Sequence, residues 1–173
     1  MRHFIIAILM LIGVAAVQAQ GPSDKTATIC GGRNALAQST VTEILAAHNK
    51  IREQFKLSPL SWNCKLADFA QEWANRGVFE HREDNFYGEN LYVTRLTDFK
   101  PSMAVEKWFS EQAFWDNKSA ACQTGKICNH FTQLVWKKTA EIGCGLNTNA
   151  SGKWKTLLVC DYDPAGNFPG PAY

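Results

Sequence analysis

Nine residues decide the fold: Cys128-Asn129-His130-Phe131-Thr132-Gln133-Leu134-Val135-Trp136. They combine a histidine, a cysteine suited to a disulfide, and an apolar Leu-Val-Trp run. Taken alone, the stretch is typical of a core segment whose histidine is simply hydrogen-bonded. Residues 81–89 and Glu111 carry a second histidine and carboxylates that make most sense as groups converging on His130. The rest of the chain therefore has to decide between a core histidine and a functional one.

Residues 1–19 predict a secretory signal peptide. Arg2 gives a short positive start, residues 4–17 are almost continuously apolar, and Val17-Gln18-Ala19 offers small residues at the cleavage positions. The apolar run is too short and too early for a transmembrane span, and no later segment is apolar enough to cross a bilayer. We expect an exported, soluble protein that acts outside the cell, or in the periplasm or cell envelope if the source is bacterial.

The remainder, about 154 residues, suits one domain with a full core. We divide it into an N-terminal arm (20–38) and a domain (39–173). Removing Arg2 from the 18 basic side chains leaves 17 against 16 acidic ones, so the exported chain is nearly neutral. A neutral balance does not attract nucleic acid, and we expect no nucleic-acid partner.

All six cysteines lie after the signal peptide, and an even count in an exported chain predicts three disulfides. No Cys-x-x-Cys pair appears, which disfavours a zinc finger. Six cysteines allow many pairings in principle. A short loop around Gly125 suggests that Cys122 pairs with Cys128. Two facing strands suggest that Cys144 pairs with Cys160. Cys30 and Cys64 are then left for each other.

Helical spacing predicts three helices. The first begins at a capping box formed by Thr40 and Glu43, and its apolar face includes His48, which we interpret as a buried, hydrogen-bonded core histidine rather than a ligand. The second runs from about Cys64 to Arg76, with Gly77 as its C-terminal cap. The third begins at Pro101-Ser102 and runs to about Trp115, with an inner stripe of Val105, Trp108, Gln112 and Trp115.

Residues 78–100 lack a regular pattern and predict a long loop, a kind of segment that is often functional in compact domains. His81 and Glu89 lie in it, and the alternative for each is an exposed loop histidine and a solvated carboxylate. Glu111 lies roughly 60° from Trp108 on the helical wheel. A carboxylate beside an aromatic stripe must be paired or solvated, so the alternative for Glu111 is a salt bridge with lysine or arginine.

The C-terminal part predicts a β-hairpin. The stretches are residues 142–146 and 154–162, and a polar Asn-Thr-Asn-Ala-Ser-Gly segment separates them. Together with the helices, the hairpin indicates a mixed domain of helices and a small sheet.

Eight short motifs then resemble one family in the family's own order, across nearly the whole exported chain. The chain is similar to the CAP superfamily, which comprises cysteine-rich secretory, antigen 5 and pathogenesis-related class 1 proteins, and its pattern is nearest the last of these. The motifs are His48–Arg52, Leu60–Trp62, Leu66-Ala67, Gly88–Leu91, Trp108–Glu111, Cys128–Trp136, Gly143-Cys144 and Cys160–Asn167.

The resemblance implies an α+β fold, namely a disulfide-stapled three-layer α-β-α sandwich around a small, mostly antiparallel sheet. It also implies a central cleft whose two histidines and two glutamates map onto His81, Glu89, Glu111 and His130. Such a set suits a divalent metal ion, with zinc as the first candidate. His48 belongs to a family motif outside these four residues.

The resemblance further implies a binding protein rather than an enzyme. Its expected ligand is a sterol, a fatty acid or another small lipid, and its further expected partner is an extracellular receptor or a membrane lipid. Its expected role lies in defence, virulence or signalling. We expect a monomer or a weak dimer. One alternative is a metal-dependent hydrolase or protease that uses the same four residues. Five aromatic residues are candidates for lipid contact or for ordinary packing: Phe86, Tyr87, Tyr92, Phe99 and Trp115.

The tail, residues 164–173, supports a second alternative, a precursor of a signalling peptide. Its opening Pro-Ala-Gly-Asn and final tyrosine resemble the segment that plant pathogenesis-related class 1 members can release. The usual Arg-Pro before that tyrosine is Pro-Ala here. The family's third plant disulfide also has no counterpart at Cys30 and Cys64.

Overall fold

The computed structural model describes residues 30–150 and 153–173. The predicted signal peptide, and residues 20–29 of the predicted arm, lie outside the described residues. The helices are α1 (Gln38–Gln54), α2 (Cys64–Ala74), α3 (Pro101–Phe109), a 3₁₀ helix (Ser110–Phe114) and α4 (Asn129–Leu134). The strands are β1 (Ser61–Trp62), β2 (Gly88–Thr94), β3 (Trp115–Asp116), β4 (Ala121–Cys122), β5 (Glu141–Asn147) and β6 (Thr156–Asp163).

The main sheet has four strands in the order β1-β5-β6-β2. The short β1 pairs parallel with β5, and the other pairs are antiparallel. The predicted hairpin is therefore confirmed as β5 and β6. At the other edge lies β2, whose second side pairs with no strand in the described part of the chain and borders the site described below.

Helices cover both faces of this sheet. On one face α2 packs Ala70, Trp73 and Ala74 against the sheet. On the other face lies the larger cluster, which α1, α3 and α4 build with the opposite side of the strands. The predicted three-layer α-β-α arrangement is confirmed.

Close approach of α2 to β5 depends on two glycines. A side chain at Gly143 would collide with the backbone of Ala67, and one at Gly145 with the backbone of Gln71. Because glycine has no Cβ, the helix can lie directly on the strand. Asn63 fixes the start of α2, since its side-chain oxygen accepts the amides of Lys65 and Leu66 in the first turn.

Three details of the predicted elements are wrong. The stretch 78–100 contains β2, whose residues pair one to one with β6; this long-range pairing has no local signature. Thr40 and Glu43 form no capping box, because α1 already begins at Gln38, and the Glu43 carboxylate instead accepts the amide of Ser102 at 3.0 Å. The third helix is α-helical only to Phe109, and the tighter 3₁₀ turn that follows leaves Gln112 exposed.

The three suggested disulfides are confirmed: Cys30–Cys64, Cys122–Cys128 and Cys144–Cys160. The first ties Cys30, within the predicted arm, to the first residue of α2. Next to it, the buried Asn34 amide donates to the carbonyls of Ala67 and Cys144. Among the described residues, no helix is long and apolar enough to span a membrane.

Candidate functional site

The first site pair is His130 and Glu111. The His130 Nδ1 lies 2.7 Å from the Glu111 Oε1. The other carboxylate oxygen, Oε2, accepts the backbone amides of His130 at 3.1 Å and Phe131 at 3.3 Å. The imidazole also stacks on the Trp108 indole, with centroids 6.2 Å apart and planes 12° apart. Glu111 thus anchors the first turn of α4 while it orients the histidine, so the predicted alternative of a salt bridge with lysine or arginine is wrong.

The second pair is His81 and Glu89. The His81 Nδ1 lies 2.7 Å from the Glu89 Oε1, which also accepts the Arg82 amide at 3.2 Å. The carboxylate is buried, with 4% of its side chain exposed, whereas the imidazole is 65% exposed. The hydrogen bond to Glu89 raises the pKa of His81, against the opposing effect of burial.

Asp161 lies directly opposite Glu89 across the β2–β6 pair and is fully buried. Burial raises its pKa to about 8, although the Asn85 amide, which donates to Oδ1 at 3.1 Å, favours the ionised form. Three buried polar atoms of this corner have no hydrogen-bond partner among the described residues: Arg82 Nε, Glu89 Oε2 and Asp161 Oδ2. Sequence reasoning missed Asp161, whose Cys160-Asp161-Tyr162 context predicted only a strand.

The two pairs flank the edge strand β2. Glu89 shares its face of the strand with Leu91, which packs against α2. Asn90, on the opposite face, donates to the His130 carbonyl at 3.1 Å. The described residues contain no group of three or more His, Cys, Asp or Glu side chains that could hold one metal ion. The four residues therefore do not form a single ready-made first shell.

The pairs nevertheless have the chemistry of metal-binding histidines. In each, the carboxylate holds Nδ1, and Nε2 makes no hydrogen bond to any described residue. Metal-ligating histidines commonly pair their second nitrogen with a carboxylate, which fixes the tautomer and raises ligand basicity. In this geometry the imidazoles are the candidate ligands, and Glu89 and Glu111 are the groups that orient them.

His130 and Glu111 are among the residues that line an apolar cleft of about 440 Å³. This volume lies within the range of about 300–1,000 Å³ that is typical of small-molecule sites. His81 lies apart from the cleft, in a polar depression that it shares with Glu72, Arg76 and Arg82. The rest of the cleft is Phe79, Leu91, Tyr92, Val93, Lys107, Trp108, Ser110, Phe114, Gly125, Lys126 and Ile127.

Of the five aromatic candidates for lipid contact, only Tyr92 lines the cleft. Phe86 is 91% exposed and lines none of the described clefts, and Tyr87 packs edge-on against Phe69. Sequence reasoning missed Phe79 and Ile127, which are 47% and 63% exposed at the cleft. Large exposed apolar side chains beside a cleft are the signal that finds them, and exposure is not visible in sequence.

His48 is a core residue, as the sequence predicted. It is fully buried, with Nδ1 2.7 Å from the Ile44 carbonyl and Nε2 2.9 Å from the Tyr162 hydroxyl. Burial lowers its pKa to about 4, so it is neutral at pH 7. Arg52, one turn further along α1, was not predicted to be buried. Its guanidinium donates to four backbone carbonyls, those of Ser58, Leu134, Trp136 and Thr139.

Comparison with known proteins matches residues 45–162 to the family described as CAP: Cysteine-rich secretory protein family. The chain belongs to this family. The CAP chain is 35% identical over 140 residues to pathogenesis-related protein 1A1 of Solanum lycopersicum, with 79% of this chain and 78% of that protein covered. The family resemblance seen in the sequence is thereby confirmed.

Solved structures of similar fold support the same assignment. Schistosoma mansoni venom allergen-like protein 4 superposes with a TM-score of 0.67 at 25% identity, covering 80% of this chain and 95% of the other. NaASP2, solved with Zn²⁺, superposes with a TM-score of 0.63 at 22% identity, covering 87% of each chain. The second likeness concerns the fold alone.

In this CAP chain, the tail is built into the domain. Ala172 is buried, and its carbonyl accepts the Lys137 amide at 2.8 Å. The Asn117 side chain bonds both Ala172 and Tyr173, and the Tyr173 ring packs 4.5 Å from that of Phe55. Release of residues 164–173 as a peptide would therefore remove part of the larger core cluster.

Proposed function

We propose that this CAP protein is secreted through its signal peptide and binds a fatty acid or sterol in the apolar cleft. The observation that carries the proposal is the cleft itself, which runs along the free edge of β2 and is lined mostly by apolar side chains. Its pathogenesis-related relatives favour an extracellular role in defence or signalling. N-terminal sequencing of the secreted protein should give Gln20 as the first residue, and an intact Met1 would contradict the export step.

The lining favours an amphipathic ligand with one polar end. Val93, Phe114 and Ile127 provide apolar surface, whereas Lys107 and Lys126 bring positive charge to the same cleft. Both lysines are exposed, and the Lys126 Nζ lies 4.7 Å from the Phe114 ring centroid. A carboxylate can pair with such lysines while the hydrocarbon chain lies against the apolar wall. A sterol hydroxyl can use Ser110 or His130 in the same way.

Direct binding tests the proposal with palmitate and cholesterol as probes. Ile127→Ser should weaken binding about tenfold, because it removes an apolar contact at the cleft. Phe86→Ser is the matched control, since Phe86 is also an exposed apolar side chain but lies outside the cleft. Equal affinities for the two variants, or no binding of either probe to wild type, would contradict lipid binding at this cleft.

We also propose that a divalent metal ion, zinc being the first candidate, binds at the two histidines. The free Nε2 atoms support this, as do the carboxylates on each Nδ1. Zinc takes imidazole nitrogen at about 2.0–2.1 Å and accepts water as a further ligand. An ion held by these imidazoles would supply a fixed positive charge beside β2.

Zinc titration by calorimetry separates this metal site from the cleft. His81→Ala and His130→Ala should each weaken zinc binding, and the double variant should abolish it. Phe86→Ser should bind zinc like wild type. Unchanged zinc binding by the double variant would contradict a metal site at these histidines. The result of the lipid-binding measurement does not depend on this outcome.

A further inference from the structure

A second groove lies apart from the lipid cleft and shares no lining residue with it. Its volume is about 280 Å³, and we call it the aromatic groove. Three parts of the fold build it: the β3–β4 hairpin, α4 with the residue that follows its C-cap, and the segment 167–170. Its lining is Trp115, Ala120, Asn129, Thr132, Trp136, Asn167, Phe168, Pro169 and Gly170.

Three aromatic rings line this groove. The rings of Trp136 and Phe168 form a corner, with centroids 6.5 Å apart and planes tilted by 57°. Trp115 is held in place by a hydrogen bond from its Nε1 to the Asn117 side chain at 3.3 Å. Phe168 is 63% exposed at the mouth of this groove. Phe168 therefore supplies most of the accessible apolar surface of the groove, Trp115 is half-buried beside it, and the buried Trp136 ring supports it from behind.

The polar groups of the groove are amides with free hydrogen-bonding capacity. The Asn167 Oδ1 accepts from the Thr132 hydroxyl at 2.5 Å, and its Nδ2 donates to the Asn129 carbonyl at 3.0 Å. These bonds fix the carboxamide and leave one N–H and one oxygen lone pair on an exposed residue. The Asn129 side chain is exposed and makes no hydrogen bond to any described residue.

None of the nine lining residues is ionisable. A phosphate, a sulfated sugar or an acidic peptide would find no opposite charge here. An alkyl chain would leave the fixed amides unmatched, at the cost of desolvating them. A pyranose ring suits both features, because its C–H faces pack on aromatic rings and its hydroxyls pair with amides.

We propose that the aromatic groove binds a neutral saccharide, one or two pyranose units of an uncharged polysaccharide or glycan. The groove is preorganised, since the Cys122–Cys128 disulfide adjoins Asn129, and Asn167 is fixed by two hydrogen bonds. Little ordering is then needed when the ligand binds. This site would attach the protein to a carbohydrate surface while the lipid cleft stays available.

The test measures binding of the full-length secreted protein to three neutral hexasaccharides by saturation-transfer NMR. The probes are hexamers of β-1,3-glucose, β-1,4-glucose and β-1,4-N-acetylglucosamine. At least one probe should bind saturably. Phe168→Ala and Asn129→Ala should each weaken it about fivefold, the effect of losing one stacking or hydrogen-bond contact. Phe86→Ala, an exposed phenylalanine outside the groove, should bind like wild type.

Three results would overturn the proposal: no saturable binding of any of the three probes, equal affinity of Phe168→Ala and wild type, or binding only to a charged oligosaccharide such as hexagalacturonate. Circular dichroism of each variant shows whether the fold is retained. Palmitate binding by Phe168→Ala should match wild type, which separates this site from the lipid cleft.

Discussion

The two His–Glu pairs have the same hydrogen-bond distance but differ in the exposure and packing of their side chains. In both, Nδ1 lies 2.7 Å from a carboxylate oxygen. His130 and Glu111 are 24% and 15% exposed and belong to the packing of α3 and α4, whereas His81 is 65% exposed and lies on a loop outside the sheet. The comparison indicates that His130–Glu111 supports the fold more than His81 does.

The two pairs also differ in the contacts of the second carboxylate oxygen. Glu111 uses its second oxygen for two backbone amides, whereas the second oxygen of Glu89 is buried with no partner among the residues that the structure describes, opposite Asp161. Satisfied carboxylates stabilise a native state, and unsatisfied buried ones destabilise it. Substitutions at the two pairs should therefore change stability by different amounts.

The largest expected effect is a pH dependence of the free energy of unfolding, which Asp161 causes on the side of the His81–Glu89 pair. Its native pKa of about 8 exceeds its ordinary value of 3.8. The unfolded chain therefore releases a proton that the native state keeps, so the stability Asp161 supports is present below pH 3.8 and lost as pH rises towards 8. Relative to wild type, Asp161→Asn should gain roughly 5 kcal/mol of unfolding free energy between pH 4 and 9.

Urea denaturation at a series of pH values checks this. His48 acts in the opposite direction, because its lowered pKa of about 4 removes stability as pH falls from 6.5. That contribution is the same in both proteins and cancels in their difference. Parallel stability curves for wild type and Asp161→Asn would show that Asp161 does not titrate abnormally.

The next effect concerns Glu111. Glu111→Ala leaves two amides of α4 and the His130 Nδ1 without their acceptor, and should lower the free energy of unfolding by about 2–3 kcal/mol. Glu111→Gln keeps one acceptor oxygen and should lose about half as much. A loss below about 0.5 kcal/mol in urea denaturation of Glu111→Ala would contradict a structural role.

His130→Ala should cost about 1–2 kcal/mol, because it removes the hydrogen bond to Glu111 and the stack on Trp108. Thermal unfolding followed by calorimetry measures this. His130→Phe is the sharper companion, since it restores the stack without the hydrogen bond and should recover part of the loss. If His130→Phe is no more stable than His130→Ala, the stack on Trp108 does not contribute to stability.

The smallest effect is expected at His81. Its imidazole is largely exposed, so His81→Ala should change the free energy of unfolding by less than about 1 kcal/mol. Paired measurements on His81→Ala and His130→Ala test the comparison directly. A larger loss for His81→Ala than for His130→Ala would reverse it.

The sequence predicted the parts of the fold that depend on local periodicity. The buried face of α1 with His48, the β5–β6 hairpin and the Cys122–Cys128 loop all have short-range signatures. It did not predict β2, because a strand that pairs with a distant partner need not look regular by itself. Glu43 shows a related limit: the carboxylate expected to cap its own helix accepts an amide of α3.

For the candidate site, the family resemblance supplied the four residues but not their roles. Spacing along the chain cannot show that each glutamate is bonded to a histidine rather than turned towards a shared ion. The cleft was harder to predict, since Phe79 and Ile127 differ from core residues only in their exposure. Exposure follows from packing, which sequence pattern specifies only in part.

The central claim is that a hydrophobic ligand lies along the free edge of β2, beside the His130–Glu111 pair. Two-dimensional methyl and amide NMR during a palmitate titration tests it most directly. The account predicts saturable shifts at Leu91, Val93 and Ile127, with resonances of Leu96 and Phe86 unchanged. Shifts confined to residues outside the cleft, with Val93 and Ile127 unmoved at saturation, would contradict it.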